Sequence, residues 1–511
     1  MLLSIVLLTG CVSRKVVQQP EPERSIVVIY DNDVHCKLDG YSLMAGMRDA
    51  VSDTSYVAMV TSGDYLQGGT TGAISHGQYI ADVMRSMHYD AVGLGNHEFD
   101  YGMDRMFELL KYIDAPVTSV NLRDMQGKLV YAPSVIRQYG RRKVAFIGVV
   151  TPTTLYTESY SFFDLDDVQH YQLSEKDLYE RVQEEVDAVR AQGVDYVILL
   201  AHIGNEPNDL DYVSKNLAAA THGIDVILDA HSHDVVPHNY VNGTDGRPVL
   251  ITQTGTKFQH VGRLIIMPDG KMTTKLTPLS QLTRHNPEVK HVTDSILALA
   301  NEQILRPICT SESKLRILDD AGRQLVRRSE TNAGDLVTDA FRIVVGGDVA
   351  ITNGGSIRTE VGPGNLNYGD MLSLLPYDNY VCLIDVTGQK LMEILQGTTQ
   401  LLPALSGDFP QVSGIKFTVR VGAEERITDV MVLDRETGEY KPLDLQHIYR
   451  LATTDYCITG GGLQGLLKHE PVAKPNLMVY SECLIKYVTE HLHGHVGQEY
   501  AEPQGRITIV Y

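Results

Sequence analysis

Ser25-Ile26-Val27-Val28-Ile29-Tyr30-Asp31-Asn32-Asp33-Val34-His35 begins with an apolar, β-branched run and ends with an aspartate and a histidine two residues apart. Such a run reads as a buried strand. Polar side chains just past its carboxyl end fall where an open α/β sheet places its site. In an extended continuation residues i and i+2 point the same way, so Asp33 and His35 are expected to reach one ion. The same placement recurs along the chain. Asp64 follows Tyr56–Thr61 within Ser62-Gly63-Asp64, and Asn96 and His97 follow Ala91–Leu94 within Gly95-Asn96-His97-Glu98. His202 ends the run Tyr196–Leu200, and His231 and His233 follow Val226–Leu228. A lone histidine after a strand is usually a hydrogen-bonded core residue. Five such placements in order point instead to one shared site.

Outward from these strands, Ser25 to about Gln281 alternates β-branched runs with amphipathic segments, which implies a layered α/β domain. Ser174–Gln192 reads as a helix, with Ser174 and Asp177 in a capping-box-like start and Gly193 as its stop. Asn286–Leu305 reads as a connecting helix. A second unit begins near Lys314, with helices such as Ala333–Val345 and Glu482–Leu492 among strands such as Tyr380–Val386, Ile415–Val421 and Ile507–Tyr511. The expected division is 1–24 as signal and tether, 25–285 as the first domain, 286–315 as connector, and 316–511 as the second domain.

The chain has 511 residues, enough to bury a full core without disulfides. Its 43% hydrophobic and 21% charged residues exclude wholesale disorder. Lys+Arg 44 against Asp+Glu 64 gives a net charge of −20, and there is no compensating basic run. A nucleic-acid polymer is therefore not an expected partner. A small anionic substrate would also be repelled, unless a local positive centre overrides the surface.

At the N-terminus, Met1–Leu8 is too short to span a bilayer but fits the apolar part of a secretory signal. Leu8-Thr9-Gly10-Cys11 resembles the lipobox of bacterial lipoproteins. That resemblance implies lipidation of Cys11 and an exported chain anchored at the cell envelope, facing the periplasm, with Val12–Arg24 as its tether. A short buried strand with an incidental cysteine is the alternative. The other cysteines, Cys36, Cys309, Cys382, Cys457 and Cys483, have no CxxC spacing, so neither a zinc knuckle nor a thioredoxin-like motif is indicated, and an odd number scattered this widely argues against a disulfide framework.

Taken together, Asn32-Asp33-Val34-His35, Ser62-Gly63-Asp64 with Gln67-Gly68, Gly95-Asn96-His97-Glu98-Phe99-Asp100, His202 and His231-x-His233 resemble the calcineurin-like metallophosphoesterase signature. The longer forms resemble its 5′-nucleotidase branch. The resemblance implies a four-layered α/β/β/α metallophosphoesterase domain followed by a smaller, mixed α+β nucleotide-binding domain. It implies two divalent ions, one on Asp33, His35, Asp64 and His233, the other on Asp64, Asn96, His202 and His231, with Asp64 bridging. Two such ions against two carboxylates leave about +2, a match for a phosphate dianion and the positive centre that the surface charge requires. Mixed N and O ligands suit Zn, Mn, Fe or Co alike.

His97 and Asp100 are implied to form the catalytic dyad, and on a helical turn a spacing of three puts both on one face. Asp100 as a simple helix cap is the alternative. Two positions depart from the pattern. Cys36 replaces a usual glycine and, as residue i+1, is directed away from His35, while Asp229-Ala230 replaces a glycine pair.

In the second half, Glu330–Asp339 resembles the opening of the 5′-nucleotidase C-terminal domain. Asn353-Gly354-Gly355-Ser356-Ile357-Arg358 offers a close backbone approach and a bidentate guanidinium; Arg358 as a turn-closing surface residue stays open. Pro376-Tyr377-Asp378-Asn379 resembles a segment whose asparagine contacts base or ribose, which singles out Asn379. Phe409, in Phe409-Pro410-Gln411-Val412-Ser413-Gly414, falls where relatives stack an aromatic on the base; core packing is its alternative. Gly460-Gly461-Gly462-Leu463-Gln464 lacks the second stacking aromatic of relatives.

The expected function is a secreted dinuclear-metal phosphohydrolase acting on nucleoside 5′-monophosphates or related nucleotides. A nucleotide sugar, a cyclic nucleotide, another phosphoester or a sulfur ester remains open as substrate, as does a non-catalytic surface-binding protein.

Overall fold

The computed structural model describes residues 23–163, 168–174, 176–205, 212–377, 379–468, 470 and 472–511. Cys11 and the tether up to residue 22 lie outside the described residues.

Two sheets stack face to face in the first half. One has strand order Met272–Pro278, His260–Ile266, Ile26–Asp31, Tyr56–Thr61, Ala91–Val92. In the other the order is Val235–Asn242, Pro248–Thr254, Val226–Leu228, Tyr196–His202, Arg142–Val150, Ser134–Tyr139. The inner strands run parallel: Ile26–Asp31 pairs with Tyr56–Thr61, and Arg142–Val150 with Tyr196–His202. Because both faces of these strands are covered, their sequences read as continuous apolar runs rather than as an alternation. Val28, Val60, Phe146, Ile198 and Leu228 fill the space between the sheets.

Helices cover the outer faces. Met44, Met84 and Leu109, on Tyr41–Val51, Gln78–Met87 and Met103–Ile113, pack on the first sheet. Val182, Val186 and Leu217, on Leu178–Ala191 and Ser214–Ala220, pack on the second. The result is the four-layered α/β/β/α arrangement.

The helix expected from Ser174 starts at Leu178 instead. Ser174 directly follows the strand Tyr171–Leu173, with its N–H bound to the Asn121 carbonyl at 3.0 Å, and the N-cap position falls on Asp177. The helix Pro287–Ile304 is capped by Asn286, whose side chain accepts from the Val289 N–H at 3.0 Å. Its buried face, including Val289 and Ile296, joins the helical layer of the first sheet.

Beyond Pro307, a five-stranded mixed sheet runs in the order Pro410–Ser413, Val349–Asn353, Ile448–Thr454, Tyr380–Thr387, Val472–Val479. Asn332–Val345 and Tyr480–Lys486 cover one face, while Gly388–Thr399 and a four-stranded sheet cover the other. The two halves touch. The Tyr380 hydroxyl donates to the Asp100 carbonyl. His76 Nε2 lies 3.0 Å from Glu482 Oε1.

Candidate active site at the domain seam

The carboxyl ends of the parallel strands meet at this seam. Asp33, His35, Asp64 and His233 present donor atoms that all lie within 4.8 Å of one another, a set that could hold a metal ion. Mixed carboxylate and imidazole donors, with Asp33 and Asp64 fully buried, fit a divalent cation. Asn96, His202 and His231 adjoin this set. His202 Nε2 is 3.2 Å from Asp64 Oδ2 and 3.2 Å from Asn96 Oδ1, and His231 Nδ1 is 3.0 Å from Asn96 Oδ1. All seven ligand-type residues singled out in the sequence therefore converge on one place.

They do not converge through extended chain. The first strand ends at Asp31, and Asp33 and His35 have φ of 50° and 47°. Asp64, His231 and His233 are also left-handed, at 58°, 79° and 58°. Asp33 and His35 come together by another route than the i, i+2 alternation of a pleat: kinked turns aim both side chains inward. Each left-handed non-glycine residue costs of order 1–3 kcal/mol and persists only where its surroundings over-determine it.

Those surroundings are visible. The Glu98 carboxylate accepts from the N–H groups of Asp64, Tyr65, Leu66 and Gly95 at 2.6–3.0 Å, tying the Asp64 and Asn96 turns together. Asn32 donates to the Gly255 carbonyl and accepts from the Thr254 N–H. Ser62 O holds His202 Nδ1 at 3.0 Å, leaving Nε2 toward the carboxylates. Gly95 has no room for a side chain, since a Cβ there would lie 2.1 Å from Asp64 Oδ1. Cys36 is not a ligand: its Sγ is turned to the Leu66 carbonyl at 3.1 Å.

Electrostatics mark the same centre. Burial alone would lower the His202 pKa, but Asp64 and Asp33 against the ring push it up to about 9. Burial and the neighbouring His202 lower His231 to about 4. For His97, burial is outweighed by Asp100 and Asp64, which hold it well above the usual imidazole range as an imidazolium. His97 Nδ1 lies 2.9 Å from Asp100 Oδ2, so Asp100 pairs with His97 in the structure.

A cavity of about 560 Å³ opens over His35, His97 and His233 and is closed on its far side by Tyr377, Asn379 and Tyr456 of the second half. It shares those three residues with a second cavity of about 400 Å³, which holds Arg327 and Arg358. Asn379 thus faces the seam, and Arg358 lies in the adjoining cavity, lined by residues of the second half.

Phe409 does not. It is 1% exposed, in a core with Ile351, Leu395 and Val412, and its carbonyl accepts from the Gly354 N–H at 2.7 Å. This corrects its assignment as a base-stacking residue: the ring packs beneath the Asn353–Arg358 turn. Phe409→Ala is therefore expected to cost about 3–5 kcal/mol of stability in thermal or denaturant unfolding. An unchanged transition with a selective loss on nucleotides would restore the stacking role.

Tyr377, Tyr380 and Tyr456 line the cavity, and Tyr377 and Tyr456 are 46% and 43% exposed. Tyr456 lies over the glycine loop, where a Cβ on Gly461 would meet its ring at 2.3 Å, whereas Leu463 is fully buried. Tyr456 follows the strand Ile448–Thr454, and that position past a carboxyl end was the signal by which sequence reading could have found it.

Residues 307–469 match the family described as 5′-nucleotidase, C-terminal domain, and residues 57–251 match the one described as bacterial capsule synthesis protein PGA_cap. Among relatives, the chain is 25% identical over 495 residues to the trifunctional nucleotide phosphoesterase protein YfkN of Bacillus subtilis, with 86% of this chain but only 32% of that protein covered. It is 24% identical to the 5′-nucleotidase of Vibrio parahaemolyticus, with 98% and 95% covered, and 24% identical to protein UshA of Escherichia coli, with 91% and 89% covered. Of solved structures, a putative Staphylococcus aureus 5′-nucleotidase in complex with alpha-ketoglutarate superposes with TM-score 0.67 at 18% identity, covering 95% of this chain and 99% of that one. The Thermus thermophilus 5′-nucleotidase precursor gives 0.58 at 23%, with 95% and 99% covered. The two-domain fold of these structures is the fold of this chain.

Proposed function

We propose that the chain is a metal-dependent phosphohydrolase that releases phosphate from nucleoside 5′-monophosphates or related nucleotides held across the seam. The observation that carries this reading is convergence: seven ligand-type side chains cluster at one place, and two of them, His35 and His233, line one cavity with the His97–Asp100 pair and with Tyr377, Asn379 and Tyr456. In the proposed ligand sets, Asp33, His35, Asp64 and His233 hold one ion and Asp64, Asn96, His202 and His231 a second. When bound, paired divalent ions supply charge neutralisation and an activated water in line with the phosphoryl group.

The chain's own residues do the rest. His97, as an imidazolium oriented by Asp100, donates to a phosphoryl oxygen or to the leaving oxygen. Arg358 offers its fork to an anionic part of the substrate, Asn379 to base or ribose, and Tyr377 and Tyr456 their faces to the base. Tyr456→Ala is expected to weaken nucleotide binding by about 1–3 kcal/mol while leaving hydrolysis of a small aryl phosphate unchanged. Equal losses on both substrates would remove Tyr456 from base recognition.

A second reading is favoured by Arg327 and Arg358 in the adjoining cavity. Two guanidinium groups suit a substrate with an anionic group beyond the scissile phosphate, such as a nucleotide sugar. A phosphate-release panel of monophosphates, nucleotide sugars and cyclic nucleotides separates the two.

Export and lipid anchoring through Cys11 belong to the same proposal, supported by Leu8-Thr9-Gly10-Cys11. Among the described residues no helix is long and apolar enough to cross a membrane. Cys11→Ser is expected to abolish fatty-acid labelling; label that persists would refute the anchor.

A further inference from the structure

Asp100 is 6% exposed, and its two oxygens have different surroundings. Oδ2 faces His97 Nδ1 at 2.9 Å, while Oδ1 receives no hydrogen bond from any N–H or hydroxyl of the described residues. The carboxyl beside Asp100 is that of Glu158, with one oxygen of each within 4.8 Å of the other. Glu158 ends the short helix Thr154–Thr157, and its oxygen, the Asp100 oxygen and the His97 nitrogen all lie within 4.8 Å of one another. Two ionised carboxylates in such contact repel strongly, so the pair must hold a proton or a cation between them.

The neighbours decide which carboxyl carries the proton. Asp100 is paired through Oδ2 with His97 Nδ1 at 2.9 Å. Glu158 faces the Asp100 carboxylate and, from the second domain, Asp455; His97 is the one cationic group among its principal electrostatic neighbours. Burial and these two acids keep the Glu158 carboxyl well above its usual range despite His97. A hydrogen between Glu158 and Asp100 Oδ1 answers the orphaned oxygen and leaves the negative charge of Asp100 on the side of His97.

We propose that Glu158 is a positioning residue of the dyad: a neutral carboxyl that donates to Asp100 Oδ1 and fixes the plane of the carboxylate against His97. The inference rests on the proposed dyad and adds to it a residue from a separate loop. With Oδ1 held by Glu158 and the main-chain carbonyl held by the Tyr380 hydroxyl, Asp100 is gripped from both domains. His97 Nδ1 is thereby committed to Asp100, and Nε2 is left to serve the substrate.

The test compares Glu158→Gln, whose amide still donates but carries no charge, with Glu158→Leu, which fills similar space without a donor. Hydrolysis of a small aryl phosphate is measured in both, with His97→Ala run alongside and metal content and melting temperature recorded. Glu158→Leu is expected to lower kcat roughly 10- to 100-fold with KM and bound metal unchanged, while Glu158→Gln stays within about threefold of the parent. If Gln is as impaired as Leu, Glu158 acts through charge or through a bound cation and the proposal falls. It falls equally if Leu is as active as the parent while His97→Ala is dead. An active His97→Ala would instead remove the dyad on which the inference rests.

Discussion

Asp64→Ala is expected to abolish phosphate release on every substrate and to leave the chain well below two metal ions. Asp64 reaches histidines of both proposed ligand sets, with Oδ2 at 3.2 Å from His202 Nε2 and 3.8 Å from His35 Nε2, and lies nearer His202 than Asp33 Oδ1 does at 4.0 Å. Its Oδ1 accepts from the His97 N–H at 2.9 Å, so the same side chain also sets the start of the dyad turn. Burial alone would raise its pKa, but His202 and His97 hold it well below the usual carboxylate range, so it stays ionised and ready to bind a cation. Truncation leaves facing imidazoles without their shared anion, and neither proposed ligand set survives intact. Metal analysis of the purified variant, together with a phosphate-release assay, checks both parts of the expectation.

His97→Ala is expected to behave differently, losing about 10²- to 10⁴-fold in kcat while keeping its metal. The ring belongs to neither proposed ligand set; it lines the cavity and pairs with Asp100. Loss of the imidazolium removes a donor to the charge that develops in the transition state, and that loss falls on kcat and kcat/KM together. Equal metal content with collapsed turnover separates this role from that of Asp64. Metal loss in His97→Ala would instead make it a ligand.

How much of this was legible in the sequence depends on what each residue has to do. Ile26–Tyr30 and Tyr196–Leu200 declare themselves because strands buried on both faces must be apolar throughout, and the polar residues beyond them are then conspicuous. The seven ligand types stood out from that contrast, whereas the His97–Asp100 dyad was implied by the family resemblance. The backbone route did not, because nothing local distinguishes a left-handed Asp33 from an extended one. That conformation is held by distant partners: the Asn32 amide donates to the Gly255 carbonyl, more than 200 residues away, and the Lys257 N–H donates to the Asp33 carbonyl. Phe409 and Tyr456 show the same limit in the second domain. Both are aromatic residues next to strand ends, Phe409 just before Pro410–Ser413 and Tyr456 just after Ile448–Thr454, and only tertiary packing decides that Phe409 goes into the core while Tyr456 faces the cavity. Glu158 was invisible for a further reason: its partner Asp100 is 58 residues away and has the same charge, a pairing that no charge pattern suggests.

The central claim is a paired-ion hydrolytic centre, and metal reconstitution tests it most directly. The protein is stripped with a chelator and titrated with Mn²⁺ or Co²⁺, and phosphate release from a nucleoside 5′-monophosphate is followed against ions bound per chain. The account predicts no turnover in the stripped protein and a rise that levels off at two ions bound. Full turnover without metal, or a plateau already reached at one ion, would contradict it.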